Sequence, residues 1–182
     1  MKGLTIMLKI FSTQLTGIIK NITNDEFSIE DAARLLAQST IGEGHIYICG
    51  LQEMAGVAYE ATQGIEALPY FKVLSTSDNL GELSSADRVL LITRYHNDEE
   101  AIQFAKQLSD QNISFVALST VMDPNQPGLQ DLADIHINLH LKRGLVPTET
   151  GERIGYPSLL IALYTFHNIT LTLRELLEEL QE

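Results

Sequence analysis

The stretch VLLITRYHNDEEAIQF, residues 89–104, decides the fold class of this chain. It opens with five apolar or β-branched residues, which is the composition of a strand buried on both faces. Four polar residues, Arg94 to Asn97, follow directly, and an acidic helix start comes after them. We therefore predict a strand over residues 88–93 and a helix from about residue 97 to 109. The polar residues between them form either a solvated turn or a binding site.

Two further apolar runs repeat this arrangement. HIYICG (45–50) and ISFVALST (113–120) are each followed by a helical pattern. Continuous apolar runs alternating with helices are typical of parallel strands. With edge strands at 70–76 and 134–141, they predict an α/β fold: an open, mainly parallel sheet of about five strands flanked by helices, as in a flavodoxin-like three-layer sandwich.

Helices are predicted at both ends of the chain. The first 22 residues carry apolar side chains at steps of three and four, which indicates an amphipathic helix: Leu8, Phe11, Leu15, Ile18 and Ile22. A second helix follows over residues 28–39, with Ser28 as its N-cap and Asp31 at the capping-box position. A long closing helix is predicted over residues 157–180.

The composition is that of a globular protein with an acidic excess. The 182 residues carry a formal net charge of −12, which argues against nucleic-acid and anionic-membrane partners because both recruit Lys and Arg. No membrane span or signal peptide is recognisable and the single cysteine, Cys49, excludes an internal disulfide, so a cytoplasmic location is expected. No linker divides the chain. We predict one domain over residues 1–182, with N-terminal helices to residue 40 and a sheet core over 45–141.

The carboxyl ends of the three central strands are where a ligand is expected. In open α/β sheets, ligands bind beyond these ends, near helix N-termini. The segments concerned are Gly50–Met54, Thr93–Asn97 and Ser119–Asp123. Their side chains are donors suited to a sugar or a phosphate, and the alternative interpretation is ordinary helix capping and packing.

At these strand ends the sequence resembles the SIS family, the sugar isomerase domain that binds phosphosugars. The family shows G-x-G-x-S after its first strand, S-x-S-G-x-[ST]-x-E after the second, and Ser or Thr at the end of the third. Here the second element is Thr93 to Glu100, the third is VALST, and Ala133-Asp134 followed by IHINL matches a fourth family element. The resemblance covers nearly the whole chain and is closest to single-domain phosphoheptose isomerases. It implies a set of ligand contacts: Gly50, Gln52, Thr93, Arg94, Tyr95, Asn97, Ser119 and Thr120.

The departures from the family pattern concern the phosphate-binding loops. Gln52 and Met54 stand where the first loop of the family has its second Gly and its Ser. In the second loop Thr93 keeps a hydroxyl, whereas Tyr95 and His96 replace a Ser and a Gly.

Negative charge follows this second loop. Asp98 and Glu99 lie close to where the resemblance places a phosphate, and Glu100 is expected to close a capping box with Asn97. Arg94 is the nearest side chain able to offset this charge. We therefore expect an altered phosphate site.

The catalytic positions implied by the resemblance are altered as well. Phosphoheptose isomerases carry a His and a Glu one turn apart on the helix after the first loop, and a further His on the last helix. The matching positions here are Glu60, Gly64 and His167. Isomerisation between an aldose and a ketose needs a base that moves a proton between adjacent carbons, which makes Glu60 and His167 the candidate catalytic residues. Because Gly64 has no proton-transferring group, isomerase turnover is expected to be poor or absent.

No metal or cofactor is expected. His136 and His140 would lie ~13 Å apart on one face of a strand, too far to share an ion. Three functions stay open: a phosphosugar isomerase, a non-catalytic phosphosugar-sensing or regulatory SIS protein, and a flavodoxin-like module for another ligand.

Self-association is expected from the closing helix, which carries apolar residues on more than one face. SIS relatives assemble through such helices. We predict at least a homodimer in which the first and last helices form much of the contact. The segment 143–157, with Arg143 and Arg153, either reaches the neighbouring subunit's site or is a disordered connector.

Overall fold

The computed structural model describes residues 2–179, which form a sheet with helices before, between and after its strands. The strands of this sheet are β1 (Ile46–Gly50), β2 (Phe71–Val73), β3 (Arg88–Tyr95), β4 (Phe115–Thr120) and β5 (Ile135–Asn138). The helices are α1 (Lys2–Thr23), α2 (Glu26–Ile41), α3 (Ala55–Gln63), α4 (Glu99–Asp110), α5 (Leu129–Leu132) and α6 (Ser158–Glu179). A small hairpin of β6 (Val146–Pro147) and β7 (Arg153–Ile154) precedes α6.

The predicted fold class is confirmed. The five strands are all parallel and lie in the order β2-β1-β3-β4-β5. The chain runs outward from β1 to β2 and then returns to place β3 on the other side of β1. This reversal creates a switch point, a crevice between the carboxyl ends of β1 and β3, where α/β folds bind their ligands.

Apolar layers cover both faces of the sheet. Leu90 and Ile92 of β3 face one core cluster, built with α2, α3 and α6, whereas Val89 and Leu91 face the other, built with α4. This alternation is the two-residue period of a strand. Because both faces are covered, the apolar run is continuous, which is why the sequence locates β3 so well.

The start of α2 differs from the prediction. The helix begins at Glu26, and the Ser28 hydroxyl donates a hydrogen bond to Oδ1 of Asp25 at 2.8 Å instead of capping the backbone. Ser28 as N-cap, with Asp31 completing a capping box, was therefore wrong. Only two residues separate α1 from α2, so the second helix must begin earlier than its capping pattern suggests.

The edge strand β5 is shorter than predicted. It ends at Asn138, whose side-chain oxygen accepts hydrogen bonds from the backbone N–H groups of Val121 and His140. His140 takes a left-handed backbone conformation, with φ of 57°. The prediction that His136 and His140 share one strand was therefore wrong, because the Asn138 side chain turns the chain out of the sheet.

The segment between β5 and α6 is ordered. Its hairpin is held by Arg153, whose Nε donates to the backbone oxygen of Gly144 at 2.6 Å and whose Nη2 donates to that of Leu145 at 2.9 Å. The alternative of a disordered connector was therefore wrong. The guanidinium of Arg153 is committed to the hairpin of its own chain.

No helix within residues 2–179 has both the length and the apolar composition that a membrane span requires.

Candidate functional site

The N-terminus of α4 is capped by a carboxylate of the chain itself. Oδ1 of Asp98 accepts from the backbone N–H of Ala101 at 3.1 Å, and Oδ2 accepts from the Thr93 hydroxyl at 3.2 Å. The predicted capping box of Asn97 and Glu100 was wrong, because β3 continues to Tyr95 and the helix therefore begins only at Glu99. A negative group thus already lies at the helix end where the resemblance places a phosphate.

Arg94 is paired with Glu53, a residue that the sequence did not single out. Its Nε donates to Oε1 of Glu53 at 2.6 Å, and its Nη2 donates to Oε2. The hydroxyl of Ser158 donates to the same Oε1 at 2.6 Å. Arg94, and after it Ser158, lower the pKa of Glu53 to about 2 against the cost of burial. At neutral pH a charged pair therefore joins the loop after β1 to the end of β3 and the start of α6.

The crevice beside this ion pair is closed by the segment before α6. The rings of Tyr95 and Tyr156 meet edge to face with centroids 6.5 Å apart, and the Tyr156 hydroxyl donates to the backbone oxygen of Leu141 at 2.7 Å. The space between Arg94, Tyr156 and Ser158 has no volume for a water molecule.

Ser119 and Thr120 are buried at the end of β4. The Ser119 hydroxyl and Nε2 of His136 lie 2.8 Å apart, and the Thr120 hydroxyl accepts from the backbone N–H of Leu141 at 3.1 Å. Burial lowers the pKa of His136 to about 4, so this imidazole is neutral at neutral pH. That Ser119 and Thr120 contact a ligand stays a prediction. Their hydroxyls would have to exchange these internal hydrogen bonds for hydrogen bonds to the ligand. Asn97, by contrast, is half-buried and bonds to Gln126.

A cavity of about 380 Å³ lies at the carboxyl ends of β1 and β2, between α3 and the first turn of α4. Two of the predicted contacts, Gly50 and Gln52, line it. Its other polar lining groups were missed by the sequence analysis, because they follow a short edge strand or lie on helices: Tyr59, Ser75, Thr76 and Glu100. The Thr76 hydroxyl donates to Glu100 at 2.6 Å, which ties the loop after β2 to α4.

The backbone after β1 is fixed by Gly50 and Gln52. A Cβ at Gly50 would lie 2.2 Å from the backbone oxygen of Met54, so this turn admits no side chain. Gln52 has a φ of 53°, a left-handed conformation that is uncommon outside glycine. Together they turn the chain sharply, so that Gln52 lines the cavity while the next residue, Glu53, contacts Arg94.

Glu60 and His167 are brought together, but away from this cavity. Both line a second cavity of about 20 Å³, beside Phe71 at the amino end of β2, which is room for one water molecule. Oε1 of Glu60 lies 2.7 Å from the place where a Cβ on Gly64 would be. The carboxylate of Glu60 thus reaches the space beside position 64.

A groove of about 410 Å³ between α2 and α6 is lined by carboxylates, among them Glu26, Glu30 and Glu175, and lies away from the switch point. Across the described part of the chain, no group of three or more His, Cys, Asp or Glu side chains is placed to hold a metal ion.

The fold, with its parallel sheet and long closing helix, is similar to that of several solved proteins, among them some described as sugar-phosphate isomerases. A protein from Bacteroides fragilis NCTC 9343, proposed to be a phosphosugar isomerase involved in capsule formation, is similar with a TM-score of 0.73 and 16% identity, over 97% of this chain and 92% of that one. The E. coli CFT073 protein c3406, solved in complex with a sugar phosphate, is similar with a TM-score of 0.67 and 14% identity, over 97% of this chain and 93% of that one.

Residues 7–177 match the family described as Domain of unknown function (DUF2529), and the chain belongs to this family. The uncharacterized protein YwjG of Bacillus subtilis strain 168 is 42% identical over 174 residues, which cover 95% of this chain and 99% of that protein.

Proposed function

We propose that this protein binds a phosphorylated sugar, or a similar anionic carbohydrate, and senses it without isomerising it. The observation that carries the proposal is the cavity of about 380 Å³ at the carboxyl edge of the sheet. It is large enough for a monosaccharide and lies at the carboxyl edge of the sheet, beside the switch point between β1 and β3. The similar E. coli protein in complex with a sugar phosphate supports the choice of ligand class.

The cavity offers the two kinds of contact that a sugar ring needs. Tyr59, 71% exposed, presents an aromatic face against which a ring can pack. Gln52, Thr76 and Glu100 supply amide, hydroxyl and carboxylate groups for the sugar hydroxyls. Glu100 repels an anion, so we assign the phosphoryl group of the ligand to Arg94, a basic residue near the carboxyl end of the neighbouring strand β3.

Isomerisation is the second candidate function, and one observation favours it. Glu60 and His167 line one cavity, so a carboxylate and an imidazole border the same small space. With room for about one water molecule, this cavity does not admit a sugar. Glu60 also lies on a different face of α3 from Tyr59, which lines the larger cavity. We therefore propose binding without turnover.

The test is a thermal-shift screen against phosphorylated pentoses, hexoses and heptoses. A ligand that binds only the native state must raise the unfolding temperature. Tyr59→Ala removes the aromatic wall of the cavity, and Phe27→Ala is its matched control, because Phe27 is an exposed aromatic residue on α2 outside the cavity.

The proposal expects stabilisation by at least one sugar phosphate in the wild type and in Phe27→Ala, and a much smaller shift in Tyr59→Ala. A shift of equal size in all three proteins would reject the cavity as the site. Rapid isomerisation of the ligand by the wild type, abolished by Glu60→Gln, would show that the protein is a catalyst and would contradict binding without turnover.

A further inference from the structure

We infer that Arg94 and Ser158 form an anion-binding subsite that Glu53 occupies in the free protein, and that the phosphoryl group of the ligand displaces Glu53. This inference rests on the proposed function and deepens it. It assigns the phosphate to a place other than the α4 N-terminus, and it makes Glu53 an internal competitor that sets the affinity.

The geometry around Glu53 is that of a carboxylate held as a ligand. The guanidinium of Arg94 donates a hydrogen bond to each carboxylate oxygen of Glu53, and the Ser158 hydroxyl is a third donor. Such two-point pairing is the way Arg recognises carboxylate and phosphate groups alike. Ser158 is also the first residue of α6, a helix of 22 residues, whose N-terminus favours negative charge.

A phosphoryl group can accept hydrogen bonds from the same donors as the Glu53 carboxylate. Oε1 of Glu53 accepts from both Arg94 and Ser158, so two donors share one oxygen. A terminal phosphoryl group has three oxygens and gives each donor a separate partner. It also carries more negative charge than a carboxylate, which strengthens its bonds to the guanidinium.

Glu53 is placed to leave without disturbing the fold. Its side chain is 28% exposed and can rotate towards solvent. The loop that carries it is anchored on either side by Gly50 and by Met54, which is fully buried. The Glu53 side chain can therefore move while Gly50 and Met54 stay in place.

The alternative site at the α4 N-terminus is less suited to an anion. The Asp98 carboxylate already caps that helix, and Glu99 and Glu100 follow it in the first turn. An anion at the α4 N-terminus would lie close to three carboxylates, whereas Arg94 is paired with Glu53. At Arg94 it would replace one carboxylate and keep the guanidinium.

The experiment compares Glu53→Gln with wild type by isothermal titration. Gln keeps the shape of the side chain and removes the charge that competes for Arg94. The matched control is Glu99→Gln, which removes the same charge from an exposed position outside the Arg94 pair. Probes are the sugar phosphate with the largest thermal shift, its unphosphorylated form, and inorganic phosphate. Circular dichroism verifies that each variant is folded.

We expect Glu53→Gln to bind the sugar phosphate at least ~10-fold more tightly than wild type, since one charged competitor is lost. Glu99→Gln should stay within about 2-fold, as for a solvent-screened charge. The unphosphorylated sugar should bind all three proteins alike. Ser158→Ala in the Glu53→Gln protein should weaken binding of the sugar phosphate.

Two outcomes overturn the inference while leaving the proposed function intact. One is unchanged or weaker sugar phosphate binding by Glu53→Gln when wild type binds the ligand. The other is a gain that is equally large for the unphosphorylated sugar. If neither protein binds any of the probes, the proposed function and the inference are both rejected. Binding by Glu53→Gln alone supports both.

Discussion

The carboxylates of Asp98 and Glu53 occupy the two places where a bound anion would be expected, the N-terminus of α4 and the guanidinium of Arg94. The sequence located the loops that carry them, because those loops follow long apolar strands. It did not identify the partners of either carboxylate, since Thr93 and Arg94 are contacted by residues brought together only by folding. The positions of these loops were therefore predictable, whereas the pairing among their side chains was not.

Asp98 rather than Asn97 should determine the stability of α4 at its start. Asp98→Ala removes the bond to the Ala101 N–H and is expected to cost about 1 kcal/mol in the free energy of unfolding. Asn97→Ala, the neighbouring control, should change it by less than about 0.5 kcal/mol because its contact to Gln126 is exposed. Urea denaturation measures both. An equal loss in the two variants would contradict the assignment of the cap.

His136 should make the protein less stable in mild acid. Burial, together with His96, lowers the pKa of His136 to about 4 against the opposing effect of Asp131, whereas the unfolded chain takes up this proton near pH 6.5. The stability is therefore complete above pH ~6.5 and falls as the pH drops towards 4. His136→Gln should reduce this dependence, and His167→Gln, an exposed control, should retain it. Equal slopes in all three proteins would refute the effect.

Strands that are buried on both faces were predicted more accurately than the edge strand β5. The strands predicted over 88–93 and 113–120 match β3 and β4 closely, because a continuous apolar run has few alternative placements. The strand predicted over 134–141 ends early, since the Asn138 side chain replaces strand hydrogen bonds. Side-chain bonds of this kind depend on the neighbouring β4 and are invisible in the local pattern.

The turn between β1 and α3 should tolerate no side chain at Gly50. Gly50→Ala places a methyl group against the Met54 backbone, and overpacking of this kind costs typically about 1–3 kcal/mol. Gly17→Ala is the control, because nothing lies within 4 Å of a Cβ there and α1 gains from replacing a helical glycine. Thermal unfolding should show a loss for the first variant and a small gain for the second. A neutral Gly50→Ala would show that the turn is not fixed as described.

At the scale of the whole molecule, the exposed apolar side chains of α1 and α6 bear on self-association. Leu8 on α1 is 66% exposed, and Leu160 and Leu171 on α6 are 49% and 59% exposed. Two long helices with such residues suit a contact between copies of the chain. The fold was predictable from the sequence. Assembly was not, because the hydrophobic pattern does not distinguish apolar residues that pack on the core from those that stay exposed on the same helix.

We predict a homodimer that uses these helices. Light scattering should give about twice the chain mass of 20.2 kDa for the wild type. Leu171→Glu should shift it towards the mass of one chain, whereas Ile65→Glu, a fully exposed control beyond α3, should leave it unchanged. A wild-type mass near that of a single chain would reject the dimer.

Binding of a sugar phosphate at the carboxyl edge of the sheet can be tested by backbone amide NMR shifts during titration with the best ligand of the thermal-shift screen. We expect shifts concentrated at the cavity and at the Arg94–Glu53 ion pair: residues 50–53, 59, 74–76, 94, 100 and 158. Shifts centred instead on Glu26, Glu30 and Glu175, in the groove between α2 and α6, would contradict it.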